Sequence, residues 1–314
     1  MLRYLAKKPS LGIEITATTL RMAAVSVRRT GICVEHAKTA DLPDGTVCGN
    51  YSSPNILDRE GLAGLFRECM AGVSRPYQRA ALSLPDGVFR VQTLDFDELP
   101  AKRSEWERLI RWRLEKAAAF DLSDAVLQFQ VLRRQENGFT VLVCAAKRPV
   151  LAQYESLLRE LGLEPWSVGI SSFHILNLYF PVMAKKSPVF ALARLTEDSF
   201  TTMVTEAGGA RFYRYKEIKR GGADGIKARF IREIEDSLHF YAHMSRAQTQ
   251  EVRHLYLAGD STMLYDLADG LSTATSLAIE VLTPADVIAG NDKTGPATAW
   301  LAVMAAALGA GSEL

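Results

Sequence analysis

The chain has 314 residues, of which 48% are hydrophobic and 23% charged, and its formal net charge is +1. This length allows one large domain or two ordinary ones, and the apolar content is sufficient for a soluble globular core. A near-zero net charge provides no global field that would attract nucleic acid or anionic lipid, so we expect no nucleic-acid partner.

Nothing in the sequence predicts direct insertion into a membrane. Residues 1–10 are too short and too charged for a secretory signal. The apolar run Ala299–Gly311 has about 13 residues, whereas a membrane span needs about 20. The four cysteines are scattered without a C-x-x-C pair, which is typical of reduced thiols. We therefore expect a cytoplasmic protein that reaches a membrane only through partners.

Strands and helices alternate through the first half of the chain. Strand-like patterns fill residues 11–40 and 79–94, and apolar residues at three- and four-residue spacing predict a helix over Ile56–Val73. A second helix is expected at Ser104–Ala119, with Ser104 as its N-cap. The Asn-Gly pair at 137–138 then predicts a hairpin between two strands.

The second half of the chain predicts another set of strands followed by helices. A helix over Val150–Leu161 leads to a strand and a further helix, and Pro181–Pro188 is the predicted hinge. Strands at 190–218 and a long helix at Ile226–Ser245 follow, and an Ala-rich helix closes the chain. The order β-β-β-α, an inserted α+β module and then β-β-β-α-β-α-β-α indicates two related lobes, each opening with strand–turn–strand.

No constellation of residues predicts catalysis or metal binding. His239 and His243 share a helix face, but no Glu stands between them as in H-E-x-x-H and no third ligand is evident, so packing or solvation explains them better. No G-x-S-x-G, Walker motif or Cys/His arrangement occurs. We therefore predict no catalytic residue and no metal site.

Several segments, taken in chain order, resemble one family. They are the hairpin LGIEITATTLRMAAV, the segment DLPDGTVCGN, the run FTVLVCAAKRPVLAQYESLLRELGLEPWSVGISSF, the helix IREIEDSLHFYAHM and the turn HLYLAGDST. The chain resembles the type IV pilus assembly protein PilM family, which is actin-like and related to FtsA and to the cytoplasmic domain of GspL. The resemblance implies an α/β, actin-like (RNase H-like) two-lobed fold with an inserted α+β (SHS2-like) module and a reduced outer part of the second lobe.

The resemblance also implies a division of the chain. The expected segments are 1–79 for the N-terminal part of the first lobe, 80–167 for the inserted module, 168–186 for the first-lobe helix and hinge, 187–295 for the second lobe, and 296–314 for a C-terminal helix packing back on the first lobe.

The nucleotide site that the resemblance implies has lost key residues. Glu14 stands where the family has Asp, Thr16 where it has a turn Gly, and Arg21 where a Lys is frequent. The second hairpin offers Ala191–Arg194 in place of Asp and Gly. If a nucleotide still bound, its contacts would be Gly12, Glu14, Thr16, Thr18, Thr19, Arg21, Gly221, Gly222, Gly259 and Ser261. We expect a core hairpin with a polar turn, no ATP or Mg²⁺ cofactor, and no efficient hydrolysis.

By resemblance, the chain is a cytoplasmic scaffold, peripheral to the inner membrane, that links a PilN-like membrane protein to the pilus motor ATPase. It would hold the N-terminal cytoplasmic peptide of the PilN-like protein in a groove between the first lobe and the inserted module, a familiar mode of extended-peptide capture. The groove residues implied are Arg111, Trp112, Glu115 and Phe120.

Several alternatives stay open. The charged residues around 104–120 also fit a solvated, salt-bridged helix face. An ATP-binding switch whose nucleotide state controls partner binding is the alternative function. Pilus assembly is not distinguished from type II secretion or a related machine. A membrane-tethered, FtsA-like polymer is not expected, because the tail carries no Lys or Arg after Lys293.

Overall fold

The computed structural model describes residues 11–28, 31–71, 73, 77–116, 121–135, 138–206, 208–218, 223–244, 251–259, 263–287 and 301–307. The strands, in chain order, are β1 (Leu11–Ile15), β2 (Thr19–Arg28), β3 (Gly31–Asp41), β4 (Arg79–Leu84), β5 (Phe89–Phe96), β6 (Ala125–Gln135), β7 (Gly138–Lys147), β8 (Glu164–Ile170), β9 (Phe190–Leu195), β10 (Ser199–Glu206), β11 (Gly209–Glu217), β12 (His254–Gly259) and β13 (Ala278–Val281). The α-helices are α1 (Arg59–Met70), α2 (Trp106–Lys116), α3 (Arg148–Glu160), α4 (Ser171–Lys186), α5 (Ala223–Met244), α6 (Leu264–Ala274) and α7 (Leu301–Ala307).

The chain divides into two compact units. The first unit comprises Met1–Phe89, Ala146–Tyr179 and Thr283–Leu314, and the second comprises Arg90–Ala145 and Phe180–Leu282.

The first unit is built on a five-stranded sheet of order β3-β2-β1-β4-β8. Strand β1 runs antiparallel to β2 and parallel to β4, which itself runs parallel to β8. All five residues of β1 are buried, as expected for a central strand covered on both faces. Helix α7 contributes to that cover, because Val303 and Met304 pack against Ala23 and Val25 of β2.

A sheet of the same design forms the centre of the second unit. Its order is β11-β10-β9-β12-β13, and as in the first sheet two antiparallel pairs are followed by two parallel pairs. Every residue of β9 is buried, and apolar side chains of α5 and α6 complete the core. The matching order of the two sheets agrees with the two strand–turn–strand openings predicted from the sequence.

A third sheet, β5-β7-β6, has helix α2 packed on one face. Trp106, Ile110 and Leu114 are the buried residues of α2, and the Trp106 ring lies 6.3 Å from that of Phe129 on β6. The spacing of these three residues, at four-residue intervals, is that of an amphipathic helix with a single apolar stripe.

Residues 218–222 alone separate β11 from α5. The predicted loss of the outer part of the second lobe stays a prediction.

Some element boundaries differ from the sequence-based expectation. Helix α1 begins at Arg59, because the Asp58 side chain caps it by accepting the Gly61 N–H. Ser104 lies inside a 3₁₀ turn, Arg103–Glu105, so α2 begins at Trp106 and Ser104 is not its N-cap.

The predicted hinge at Pro181–Pro188 is wrong in its first half, because Pro181 lies inside helix α4. An interior proline removes one helix hydrogen bond and disfavours the helix, but tertiary packing can override that preference. Here Tyr179 and Met183 are fully buried on either side of Pro181. In the part of the chain that the structure describes, no helix has both the length and the apolarity needed to cross a membrane.

Candidate functional site

In the turn between β1 and β2, a side chain of the turn accepts hydrogen bonds from the turn's own backbone amides. The Oγ1 atom of Thr16 accepts hydrogen bonds from the N–H groups of Thr18 at 3.2 Å and Thr19 at 2.9 Å. The same hydroxyl lies 2.9 Å from Thr19 Oγ1, and the Thr16 N–H donates to the Thr19 carbonyl. In a phosphate-binding turn, such amides donate to the ligand instead. The Thr16 side chain therefore supplies the acceptor for two amides of this turn.

Glu14 is buried in a polar network within the first unit. Its Oε2 lies 3.2 Å from Arg21 Nη1, and its Oε1 accepts a hydrogen bond from Ser171 Oγ at 3.0 Å. Ser171 Oγ is in turn 2.8 Å from Ser83 Oγ, which is 3.0 Å from His174 Nδ1. The strand register places Glu14 directly opposite Arg21 on β2 and Ser83 on β4. Both carboxylate oxygens thus have protein partners, one of them a cation.

The second hairpin, between β9 and β10, closes with the same hydrogen-bond pattern as the first. Thr196 Oγ1 accepts the Ser199 N–H at 3.1 Å and lies 2.7 Å from Ser199 Oγ. The Thr196 N–H donates to the Ser199 carbonyl at 2.9 Å. The sequence carries a pattern that predicts these two turns, Thr-x-x-Thr at 16–19 and Thr-x-x-Ser at 196–199. This pattern was not among the features identified from the sequence.

Arg194 takes, on β9, the position that Glu14 takes on β1. Each precedes the turn threonine by two residues, and Arg194 is paired in register with Thr201 of β10 as Glu14 is with Arg21 of β2. Arg194 is buried. The second hairpin therefore places a cation, not a carboxylate, at the equivalent strand position.

Two of the predicted glycines have packing roles. Gly259 ends β12 with φ +143°, and a Cβ atom there would clash with the carbonyl oxygen of Leu195, its partner in register on β9. Gly12 is buried in β1 between its register partners Ala23 and Ala81. The predicted contacts of both with a nucleotide stay predictions. Three further predicted contacts, Gly221, Gly222 and Ser261, lie outside the described residues.

Helix α5 carries a carboxylate that the sequence did not single out. Glu233 pairs with Lys216 of β11, whose Nζ is 2.6 Å from Glu233 Oε1, and Arg214 Nη2 lies 3.7 Å from Glu233 Oε2. Ser237 Oγ donates to the Glu233 carbonyl at 2.6 Å. Glu233, which lies in the segment IREIEDSLHFYAHM, is therefore paired with two cations of its own unit.

The predicted groove residues divide into two kinds. Arg111 is structural, since its guanidinium donates to the carbonyls of Leu122 and Ala125, both at 3.1 Å, at the entry to β6. Trp112 is 52% exposed, with Lys116 Nζ 5.0 Å from its ring centre, and Glu115 is exposed beside it. Phe120 lies outside the described residues. Of the predicted groove residues that the structure describes, Trp112 and Glu115 are therefore the ones exposed to a partner.

Comparisons with known proteins agree on the fold. No known family profile matches the sequence, and no curated protein matches it in sequence either. A chain of the PilM-PilN type IV pilus biogenesis complex is similar in structure, with a TM-score of 0.80 and 19% identity over 97% of this chain and 99% of that one. A Bacteroides thetaiotaomicron protein with an actin-like ATPase fold and unknown function has a TM-score of 0.52 and 12% identity over 91% and 93% of the two chains.

These likenesses, together with the paired β3-β2-β1-β4-β8 and β11-β10-β9-β12-β13 sheets, settle the architecture. The chain has the α/β, actin-like fold, and the resemblance to PilM inferred from its sequence is confirmed at the level of that fold.

Proposed function

We propose that this protein is a scaffold of a type IV pilus or related secretion machine. It binds the N-terminal cytoplasmic peptide of a PilN-like inner-membrane protein and links that protein to the motor ATPase. It lies in the cytoplasm, peripheral to the inner membrane through these partners, and does not hydrolyse ATP.

The observation that carries the proposal is the extent of the structural likeness. The similar chain comes from a complex of PilM with PilN, and the two chains align over 97% and 99% of their lengths. A likeness over nearly the whole of both chains includes the three-stranded sheet β5-β7-β6 and helix α2. The exposed Trp112 of α2 gives a peptide a large, rigid contact residue.

The two hairpins support a role that does not depend on nucleotide. Thr16 and Thr196 accept the turn amides of their own hairpins, and Arg21 neutralises Glu14. A Mg²⁺–triphosphate needs free amides and carboxylate or water oxygens in octahedral geometry. Arranging these would require both turns to give up internal hydrogen bonds, whereas a docking protein needs only the preformed surface.

The proposal is tested by isothermal calorimetry with the N-terminal cytoplasmic peptides of inner-membrane proteins encoded beside this gene. We expect one peptide to bind, and Trp112→Ala to weaken its binding by at least tenfold, because exposed aromatic residues dominate such interfaces. Tyr265→Ala, which removes another exposed aromatic residue from helix α6, is the matched control and should bind as the wild type does. Failure of every peptide to bind the wild type would contradict the proposal.

The alternative, a nucleotide switch, makes the opposite prediction for ATP. Binding of Mg-ATP to the native state raises the melting temperature in proportion to the logarithm of its concentration. We expect no thermal shift and no heat with millimolar Mg-ATP. A saturable heat that Glu14→Gln abolishes would establish the switch instead.

A further inference from the structure

Within the second unit, hairpin β10–β11 is fastened to the three-stranded sheet by a polar network. Arg211 Nη1 donates to Asp95 Oδ1 at 3.1 Å and to Thr140 Oγ1 at 2.9 Å. Thr140 Oγ1 donates to the same Asp95 oxygen at 2.6 Å, and Thr93 Oγ1 donates to the Arg211 carbonyl at 3.2 Å. We call Thr93, Asp95, Thr140 and Arg211 the clasp.

An apolar contact lies beside the clasp. Hairpin β10–β11 turns through Gly208, whose φ of +89° favours glycine. The next residue, Gly209, is needed for a different reason: a Cβ atom there would lie 2.6 Å from Leu132 Cδ2 of β6. The missing side chain at Gly209 therefore makes room for Leu132, and the tip of the hairpin fits onto the three-stranded sheet.

The clasp has features that distinguish it from an ordinary surface ion pair. Asp95 is 69% exposed and Arg211 15% exposed, and an isolated pair of this kind contributes little. Thr140, however, is buried, and its hydroxyl both accepts from Arg211 and donates to Asp95. Connected hydrogen bonds with a buried member restrict geometry more than separate pairs do. The members come from β5, β7 and β11, so the network joins two sheets that share no strand.

We infer that the clasp is a positioning device: it fixes the three-stranded sheet, and with it helix α2, to the central sheet of the second unit. Helix α2 follows that sheet because Trp106 packs against Phe129. The Trp112 face of α2 is therefore presented to a partner in an orientation that the hairpin β10–β11 determines. This inference rests on the proposed function for its consequence in binding, but not for the attachment itself.

The attachment is measured by native-state amide exchange of α2 and β5–β7. Arg211→Gln removes the guanidinium charge and shortens the side chain. We expect exchange in α2 and the three-stranded sheet to accelerate at least tenfold, with exchange in the first unit unchanged. Arg253→Gln is the matched control, because Arg253 forms an exposed pair with Glu251 in the same unit, outside the clasp. Exchange equal to wild type in Arg211→Gln would overturn the inference.

The consequence is measured as the affinity of Arg211→Gln for the peptide that binds the wild type. If the three-stranded sheet and α2 are loosened, they must become ordered on binding, which weakens affinity. We therefore expect at least a fivefold loss of affinity, although no residue of α2 is changed. Unaltered affinity, within twofold, would overturn the positioning role. If Arg211→Gln fails to fold, Thr93→Val, which removes one hydroxyl of the clasp and keeps its shape, serves in both measurements. If no peptide binds the wild type, the proposed function fails and the exchange experiment still decides the attachment.

Discussion

Arg21 lies directly opposite Glu14 on the neighbouring strand, with its Nη1 atom 3.2 Å from Glu14 Oε2. Both side chains are almost fully buried, at 7% and 1% exposed. A buried carboxylate is tolerated only when a cation or several hydrogen-bond donors compensate for its lost hydration. The guanidinium supplies that compensation from within the hairpin.

Removing one partner of this pair should destabilise the protein strongly. Arg21→Met keeps much of the side-chain volume but leaves Glu14 buried without its cation, and such changes cost about 3–5 kcal/mol. The double variant Glu14→Gln with Arg21→Met should recover part of that loss, because no uncompensated charge remains. Urea denaturation of the two single variants and the double variant measures the coupling. A loss below about 1 kcal/mol in Arg21→Met would contradict the pairing.

Thr16→Ala should weaken the first turn, because the N–H groups of Thr18 and Thr19 lose their common acceptor. The effect resembles the loss of a helix N-cap, about 1 kcal/mol in the free energy of unfolding. Amide exchange at Thr18 and Thr19 should accelerate, and Thr16→Ser should restore both properties. Thr18→Ala is the control, since only the backbone of Thr18 takes part in the turn; equal effects of Thr16→Ala and Thr18→Ala would contradict this account.

Periodicity and turn residues were sufficient to predict the order of strands and helices, because β1 and β9 are short, fully buried strands in which only Glu14 and Arg194 interrupt an apolar run. They were not sufficient at Pro181, where burial of Tyr179 and Met183 keeps the helix intact through a residue that normally ends one. Tertiary packing of this kind leaves no local trace in the sequence.

The candidate site shows a similar division. The substitutions at Glu14 and Thr16 indicated a changed nucleotide site, but only the register of β1 and β2 brings Arg21 to Glu14. Gly259 was expected to contact a nucleotide if one bound, and the parallel register of β12 and β9 supplies a packing reason for it that the sequence did not predict. A glycine in a sequence does not reveal which residue packs closely against it, because that residue comes from a strand distant in the chain.

Two buried tyrosines should respond in opposite ways to loss of the hydroxyl. Tyr179 Oη donates to the Thr283 carbonyl at 2.6 Å, so Tyr179→Phe should cost about 1–2 kcal/mol. The Tyr256 hydroxyl is buried with no hydrogen-bond partner among the described residues. Tyr256→Phe should therefore be neutral or stabilise the protein by about 1 kcal/mol, since the ring contact with Phe190 is kept. Thermal and urea denaturation measure both, and a destabilised Tyr256→Phe would show that the hydroxyl is paired.

The free energy of unfolding should fall at high pH, because the pKa of a buried tyrosine is raised in the folded protein. Burial, with the Glu206 carboxylate adding to it, raises the pKa of Tyr241 to about 12. In the unfolded chain the pKa of tyrosine is about 10. The contribution is therefore complete below pH 10 and is lost as the pH rises towards 12, because the unfolded state releases its proton first. The loss is at most about 1.4 kcal/mol per pH unit for this residue.

Tyr241→Phe isolates that contribution. The free energy of unfolding, measured in urea from pH 9 to 11.5, should fall less steeply with pH in the variant than in the wild type. The difference in slope should correspond to at most one proton released on unfolding. At pH 8 the variant loses only the hydrogen bond to Glu206 Oε2, 3.3 Å away. Identical slopes above pH 10 would show that the phenol titrates as an exposed one.

Gly259→Ala should be among the most damaging single substitutions in the second unit. The added Cβ would clash with the Leu195 carbonyl oxygen, a backbone atom that cannot rotate away, at a φ of +143° that disfavours any side chain. We expect an insoluble protein or a loss of more than about 3 kcal/mol. Gly64→Ala is the matched control, because Gly64 lies in helix α1 and an added methyl group there would have no atom within 4 Å. That substitution should stabilise the protein by about 0.5–1 kcal/mol through helix propensity. A soluble Gly259→Ala protein with wild-type stability would contradict the close approach of Gly259 to Leu195 that the parallel register of β12 and β9 produces.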